Sequence, residues 1–227
     1  MELSERLLKI EEFIPKCCCL ADVGTDHAYI PILSVNNGKC QKAIATDINK
    51  GPVIKADKNI REHLLTDKIQ TRLGPGLSVV SLGEAEVIVI AGMGGNLISD
   101  ILTQDLEKAK KARILILQPM THQDVLRDTL SRTGFSIIDE ELVKEDRHYY
   151  QIIKASAGEG DKYNKKSEYL LGLKLMAKRH PLLKGYISYY KEQLHKVLGR
   201  MDSKEQKDRY TEVTSLLYEL EEVEGCL

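Results

Sequence analysis

Hydrophobic positions in the first two-thirds of the chain fall into short runs separated by turn residues and by stretches with helical spacing. The clearest runs are EVIVIAG (86–92) and RILILQP (113–119), whose centres VIVIA and ILIL are β-branched or aliphatic and which end in glycine or proline. CCCLADVG (17–24) and KAIATDI (42–48) are similar, and KIQTRLG (68–74) is a weaker version. Continuous apolar runs mark strands buried on both faces. Between them, residues 52–65 predict a helix, and NLISDILTQDLEKA (96–109) has apolar residues at helical spacing. HQDVLRDTLSRTG (122–134) predicts another helix that stops at Gly134. Strand–helix alternation predicts an α/β, Rossmann-like fold built on a doubly wound, mostly parallel sheet. FSIIDEELV (135–143) and HYYQIIKA (148–155) have no helix between them, so they predict an antiparallel pair at one edge of a seven-stranded sheet.

After the polar segment 156–161 the pattern becomes purely helical. SEYLLGLKLMAKRH (167–180), LLKGYISYYKEQLHKVLGRM (182–201) and DRYTEVTSLLYELEEV (208–223) are amphipathic. The last two, joined around Ser203, predict an antiparallel, coiled-coil-like pair. Two domains are therefore expected, 1–157 and 158–227.

Charge changes this picture more than composition does. The chain carries 33 basic and 34 acidic side chains, for a net charge of −1. Residues 162–200 nonetheless hold ten Lys or Arg and two acids, and residues 201–227 hold three and eight. A basic helical segment in a neutral protein points to an anionic partner. No apolar run approaches the roughly 18 residues of a membrane span, and the N-terminus lacks a signal-peptide pattern, so a cytoplasmic protein is expected. Cys17, Cys18 and Cys19 are consecutive in a strand, a poor zinc-binding pattern. They read as small buried residues, and no metal is expected.

Candidate chemistry lies where strands end, because ligands of open α/β sheets bind at the carboxyl ends of the strands. DVGTDHAY (22–29) closes the first strand. Asp22 and Asp26 flank a single glycine, Gly24, and G-x-G-x-x-G is absent. Such acids repel phosphate and suit a cation with an amine, such as S-adenosylmethionine. Asp47, ending the second strand, is placed to accept hydrogen bonds from ribose hydroxyls, with Ile48 against an adenine. The loop carrying Gly74, Pro75 and Gly76 borders the same side. AGMGGN (91–96) ends the fourth strand; its glycines leave room for a ligand, and the helix that follows offers amides. A phosphate cradle competes with that reading. Gln118, Pro119 and Met120 end the fifth strand on the same rim. Arg147 and Tyr150, near the start of the final strand, suit a phosphate and a base, or simply an edge strand.

The stretches DVGTDHAYIP, ATDINKGP, IAGMGG, LQPM and EDRHYYQII, in this order, resemble the bacterial tRNA (adenine(22)-N1)-methyltransferases, often called TrmK. The resemblance spans the N-terminal domain, and the helical tail matches in kind. It implies a class I methyltransferase domain using S-adenosylmethionine, a coiled-coil-like tRNA-binding domain, and methylation of N1 of an adenine in the tRNA D-arm. Carried over by position, Asp22, Gly24 and His27 fall in the first cofactor motif. Asp47 and Ile48 match the ribose and adenine contacts, Gly76 and Leu77 the adenine-side loop, and Ala91, Gly92 and Met93 the vicinity of the methyl donor. The Asn/Asp-Pro-Pro-Tyr pattern of enzymes that methylate the exocyclic amine is absent.

On this reading Asp26 is the first candidate for a catalytic carboxylate, and Tyr29 and Tyr150 are candidate stacking platforms. Arg147, Lys162, Lys165, Lys166, Lys174, Lys178, Arg179 and Lys184 are candidate tRNA contacts. The protein is expected to act as a monomer. The alternatives are a methyltransferase acting on another RNA or a small molecule, and a nucleotide-binding oxidoreductase.

Overall fold

The computed structural model describes residues 4–202 and 206–227, and Ser203, the expected helix junction, lies outside them. The chain divides into two compact units, residues 1–161 and 162–227. In the first, a seven-stranded sheet has the order β3-β2-β1-β4-β5-β7-β6. The strands are β1 (Cys17–Val23), β2 (Cys40–Asp47), β3 (Ile69–Leu73), β4 (Val87–Met93), β5 (Ile114–Pro119), β6 (Phe135–Glu145) and β7 (His148–Ala157). The β1–β5 set pairs in parallel, and β7 runs antiparallel between β5 and β6.

The two clearest apolar runs became the two central strands for a physical reason. Every residue of β5 is buried, as are Val87–Ile90 of β4. Their side chains alternate between two hydrophobic clusters, one on each face of the sheet. Cys17 and Cys40 are register partners at the starts of β1 and β2, both buried, their free thiols in contact. Cys18 departs from the reading of three buried cysteines: strand alternation turns it outward and exposed, and Cys19 is half-buried.

Around the sheet lie α1 (Glu5–Phe13), α2 (Tyr29–Asn36), α3 (Lys50–Glu62), α4 (Gly95–Gln104), α5 (Leu106–Lys111) and α6 (Gln123–Thr133). Pro52 sits inside the first turn of α3, where its missing N–H would have no helical partner. The single helix expected over 96–109 is two. The break falls at Asp105 (φ −117°, ψ 42°), whose carboxylate pairs with Lys108 at 3.0 Å. One buried ion pair fastens α6 to the antiparallel edge. Arg127 donates to Glu140 at 2.9 and 2.5 Å and to Gln151 at 2.7 Å, all three fully buried.

The second unit comprises α7 (Lys166–Leu171), α8 (Leu173–Ala177), α9 (Leu183–Leu198) and α10 (Lys207–Gly225). The helix expected over 167–180 is interrupted at Gly172, whose φ of +91° breaks the helical course. Helices α9 and α10 pack antiparallel: Ser188 and Lys191 meet Glu224, and Lys191 also approaches Glu221. No helix among the described residues is long and apolar enough to cross a membrane.

Candidate active site

The turn after β1 is fixed by the chain itself. Gly24 has φ +78°, and the N–H groups of Gly24 and Thr25 both donate to the Thr46 carbonyl at 2.8 Å, tying the loop to the end of β2. Thr25 accepts from the Ala28 N–H at 3.0 Å. Asn59 of α3 donates to the His27 carbonyl at 3.0 Å. These bonds place Asp22, Gly24, Asp26, His27 and Tyr29 around one cavity of about 320 Å³, closed on the β4 side by Ala91 and Gly92. Seven of the residues singled out in the sequence thus share a single pocket.

The two acids in that pocket differ. Asp22 is buried, and desolvation pushes its carboxyl up to about 6, against a smaller opposing pull from its hydrogen bond with Thr25. Asp26 is exposed and lies 3.2 Å from His27 Nε2 and 3.3 Å from Lys55 Nζ. It is therefore a solvated, partnered carboxylate. Tyr29 stacks on His27 with centroids 5.0 Å apart.

The glycines after β4 have separate causes. Gly92 (φ +77°) sits where the β4–β5 register shifts, a bulge that turns the strand end. Gly95 is a packing residue. A Cβ there would lie 2.1 Å from the His122 carbonyl oxygen, and its N–H already donates to Thr121 O at 2.7 Å. The expectation that these glycines clear space for a ligand, with free amides behind them, therefore does not extend to Gly95. Met93 lays its side chain over Gly24, so that a Cβ on Gly24 would meet Met93 Cε at 1.9 Å.

The remaining sequence-predicted cofactor residues lie outside this cavity's lining. Asp47 ends β2 and accepts from the Asn49 N–H at 2.7 Å, in an Asx turn. Ile48 beside it is 65% exposed, an apolar surface open to a planar ring. Gly76 (φ +51°) follows β3. Leu77 has its side chain fully buried in the core, and its carbonyl accepts from Lys108, so its side chain offers no surface to a ligand.

Sequence reasoning missed Arg6. It lines the cavity from α1 and donates through Nη1 to Gln118 Oε1 at 2.6 Å; the same oxygen accepts from the Gly92 N–H at 3.1 Å. The Arg6 backbone N–H is held by Glu145 at 2.6 Å. The guanidinium lies 5.3 Å from the Tyr150 ring centroid, so one face of that candidate stacking platform is covered by Arg6. No local signal marked Arg6, which stands in an ordinary amphipathic helix.

In the second unit, Lys165 pairs with Glu222 at 2.6 Å, and Lys166 pairs with Glu212. Part of the basic excess seen in the sequence is thus matched by the acids of α10. Lys162, Lys178, Arg179 and Lys184 are exposed, Lys174 is half-buried, and Arg147 is exposed at the β6–β7 turn of the first unit. Among the described residues no group of three or more His, Cys, Asp or Glu is placed to hold a metal ion.

Residues 3–153 match the family model of the methyltransferase domain. Together with the seven-stranded sheet and the acid-lined pocket at its carboxyl rim, this defines a Rossmann-like methyltransferase. The tRNA (adenine(22)-N(1))-methyltransferase of Bacillus subtilis is 40% identical over 161 residues, 71% of this chain and 68% of that one. The crystal structure of the B. subtilis m1A22 tRNA methyltransferase TrmK superposes with a TM-score of 0.90 at 32% identity, covering 98% of this chain and 99% of that one. TrmK of M. capricolum, solved with the cofactor product S-adenosylhomocysteine, gives 0.85 at 29% identity, covering 98% and 97%. The chain belongs to the tRNA (adenine(22)-N(1))-methyltransferase family.

Proposed function

We propose that this protein transfers a methyl group from S-adenosylmethionine to N1 of adenine 22 in the D-arm of tRNA. The observation that carries the reading is the pocket at the ends of β1 and β4, lined by Asp22 and Asp26 around Gly24. Its donor set fits the cofactor: the Asp22 carboxylate suits the ammonium and sulfonium, and Asp47 with Ile48 at the end of β2 suits ribose and adenine. The bound cofactor supplies an electrophilic methyl group.

The protein's own work is to place the base and exclude water, because N1 already carries a lone pair. Reaching it requires the adenine to leave its helical stack. Tyr29, Tyr150 and the exposed strand-end side chains supply surface for the extruded base. Asp26, on the pocket rim, offsets the positive charge that N1-methylation places on the ring. Asp26→Ala is therefore expected to slow methyl transfer while leaving cofactor affinity nearly intact; loss of cofactor binding would reassign Asp26 to the cofactor. The second unit grips the tRNA backbone through Lys162, Lys165, Lys166, Lys174, Lys178, Arg179 and Lys184, with Arg147 adding a contact from the first. We read the protein as acting as a monomer, and a tRNA substrate with free thiols in the chain supports a cytoplasmic site.

The test is incubation with an unmodified tRNA transcript and methyl-labelled S-adenosylmethionine, followed by nucleoside analysis. The expected product is 1-methyladenosine, lost when adenine 22 is replaced. Label at another nucleotide, or none, overturns the reading.

A further inference from the structure

Strand alternation sorts the three consecutive cysteines, and the pairing of β1 with β2 sets a fourth beside the first. Cys17 opens β1 and Cys40 opens β2, in direct register across two parallel strands. The backbone is already closed there, with the Cys17 N–H donating to the Lys39 carbonyl at 2.8 Å. Adjacent strands lie about 4.8 Å apart, inside the roughly 4.4–6.8 Å window of Cα separations that disulfides bridge. The two Sγ atoms are 2.8 Å apart, one thiol donating to the other. A bond between them therefore needs only a small side-chain movement and no change of register.

Reactivity favours Cys17 over its more exposed neighbours. The Cys40 S–H donates to the Cys17 sulfur, and this pulls the Cys17 thiol below its ordinary value against the opposing effect of burial. The same contact pushes Cys40 up, so Cys40 keeps the shared proton. Cys18 is exposed, but its hydrogen bond with Glu86 and the charge of that carboxylate push its thiol up. Burial pushes Cys19 up to about 11. The thiolate is the nucleophile, so Cys17 is the first of the three to react. With Cys17 8% exposed and Cys40 3% exposed, the pair admits a small oxidant at Cys17 rather than a protein one.

We propose that Cys17 and Cys40 form a redox site that closes to an intramolecular disulfide, with hydrogen peroxide as the oxidant. The Cys17 thiolate attacks one peroxide oxygen and the O–O bond breaks. The leaving hydroxide takes up a proton as water, and Cys17 becomes a sulfenic acid. The Cys40 sulfur then attacks the sulfenic sulfur, and its proton leaves with the hydroxyl as a second water. Two small thiols reduce the bond again and are themselves oxidised to a disulfide. The bond closes a loop, residues 17–40, that holds β1, the turn from Asp22 to Tyr29 and all of α2. Cross-linking that loop disfavours the unfolded chain. The sulfurs lie at the amino ends of the strands, roughly 16 Å along β1 from Asp22 at the carboxyl rim. Closure thus locks the loop and leaves the pocket open.

Thiol counting on the full chain, with intact mass and peptide mapping, tests this. The reduced protein has five free thiols. After a small excess of hydrogen peroxide two of them should be lost, together with the mass of two hydrogens. The bond should map to Cys17 and Cys40, and dithiothreitol should reopen it. The melting temperature should rise by roughly 5 °C on closure. Cys18→Ser should leave closure unchanged, whereas Cys40→Ser should leave a sulfenic acid at Cys17 that dimedone traps. Survival of all the thiols, a bond that maps to Cys18, Cys19 or Cys226, or oxidation that dithiothreitol does not reverse overturns the site. Closure without a rise in melting temperature overturns the lock. Should Cys40→Ser not fold, as judged by circular dichroism, mapping in the wild type and in Cys18→Ser decides on the same criteria.

Discussion

The two units of this protein use charge in opposite ways. In the first unit the consequential charges are buried and each has one place: Arg127 and Glu140 are fully inaccessible, and Asp22 is enclosed at the end of β1. In the second, Lys165–Glu222 and Lys166–Glu212 lie at the surface and Lys191–Glu224 is only half-buried, between a basic run of helices and an acidic one. Water screens surface pairs, so their partners are exchangeable; buried charges have no substitute partner. The first unit is thus suited to fixed geometry around a small ligand. The second is suited to an interface that trades its own acids for the phosphates of a nucleic acid.

The strongest way to break this comparison is to remove one partner of the buried pair. Arg127→Met should cost about 3–5 kcal/mol in urea denaturation, because Glu140 loses its guanidinium partner in the interior. The double variant Arg127→Met with Glu140→Leu should regain much of that loss. A single variant as stable as the wild type would place this pair with the exchangeable surface ones.

The next effect is on cofactor affinity as a function of pH. The Asp22 carboxyl sits at about 6 in the fold, above its ordinary value of 3.8, because burial disfavours its charge. A cationic ligand requires the ionised form, so binding releases a proton. Affinity should fall by up to about tenfold per pH unit below 6 and level off above 7. Without ligand, the sign reverses for stability. The folded protein holds this proton more tightly than the unfolded chain, so Asp22 stabilises most below pH 4, and that contribution is lost as pH rises through 6. Asp22→Asn should bind cofactor weakly, with the pH dependence removed; calorimetry across pH 5–8 checks both outcomes.

Smaller effects should come from the second unit. Glu212→Gln with Glu222→Gln frees Lys166 and Lys165, and should tighten tRNA binding several-fold with a steeper salt dependence. Lys165→Glu with Lys166→Glu should do the reverse, leaving cofactor affinity unchanged. Filter binding at several salt concentrations separates these outcomes from no effect, which would exclude this face from the tRNA interface. Smallest of all, Glu224→Gln, which loses its bond to Lys191, should cost at most about 1 kcal/mol in thermal unfolding.

Much of the first unit was legible because its signals are local. Runs such as VIVI and ILIL must be buried on both faces and so must be central strands, and a turn with acids around one glycine after such a run lies at the binding rim. The break at Gly172 was harder to see, since the flanking residues keep helical spacing. The role of Gly95 was out of reach, because the backbone that excludes a Cβ there belongs to residues 121 and 122. Charge counting found the basic helices but not their acidic partners, which lie 46 and 57 residues further along the chain.

By itself the sequence determined the strands, the loops at their ends and the acids those loops carry, because strand burial and turn chemistry are set by neighbours in the chain. Only the tertiary structure decided that Arg6 joins Gln118 across 112 residues, that Arg127 is buried against Glu140, and that lysines read as free cations face carboxylates. Those pairings depend on how helices settle on the sheet and on one another, and periodicity carries no information about which side chains then meet.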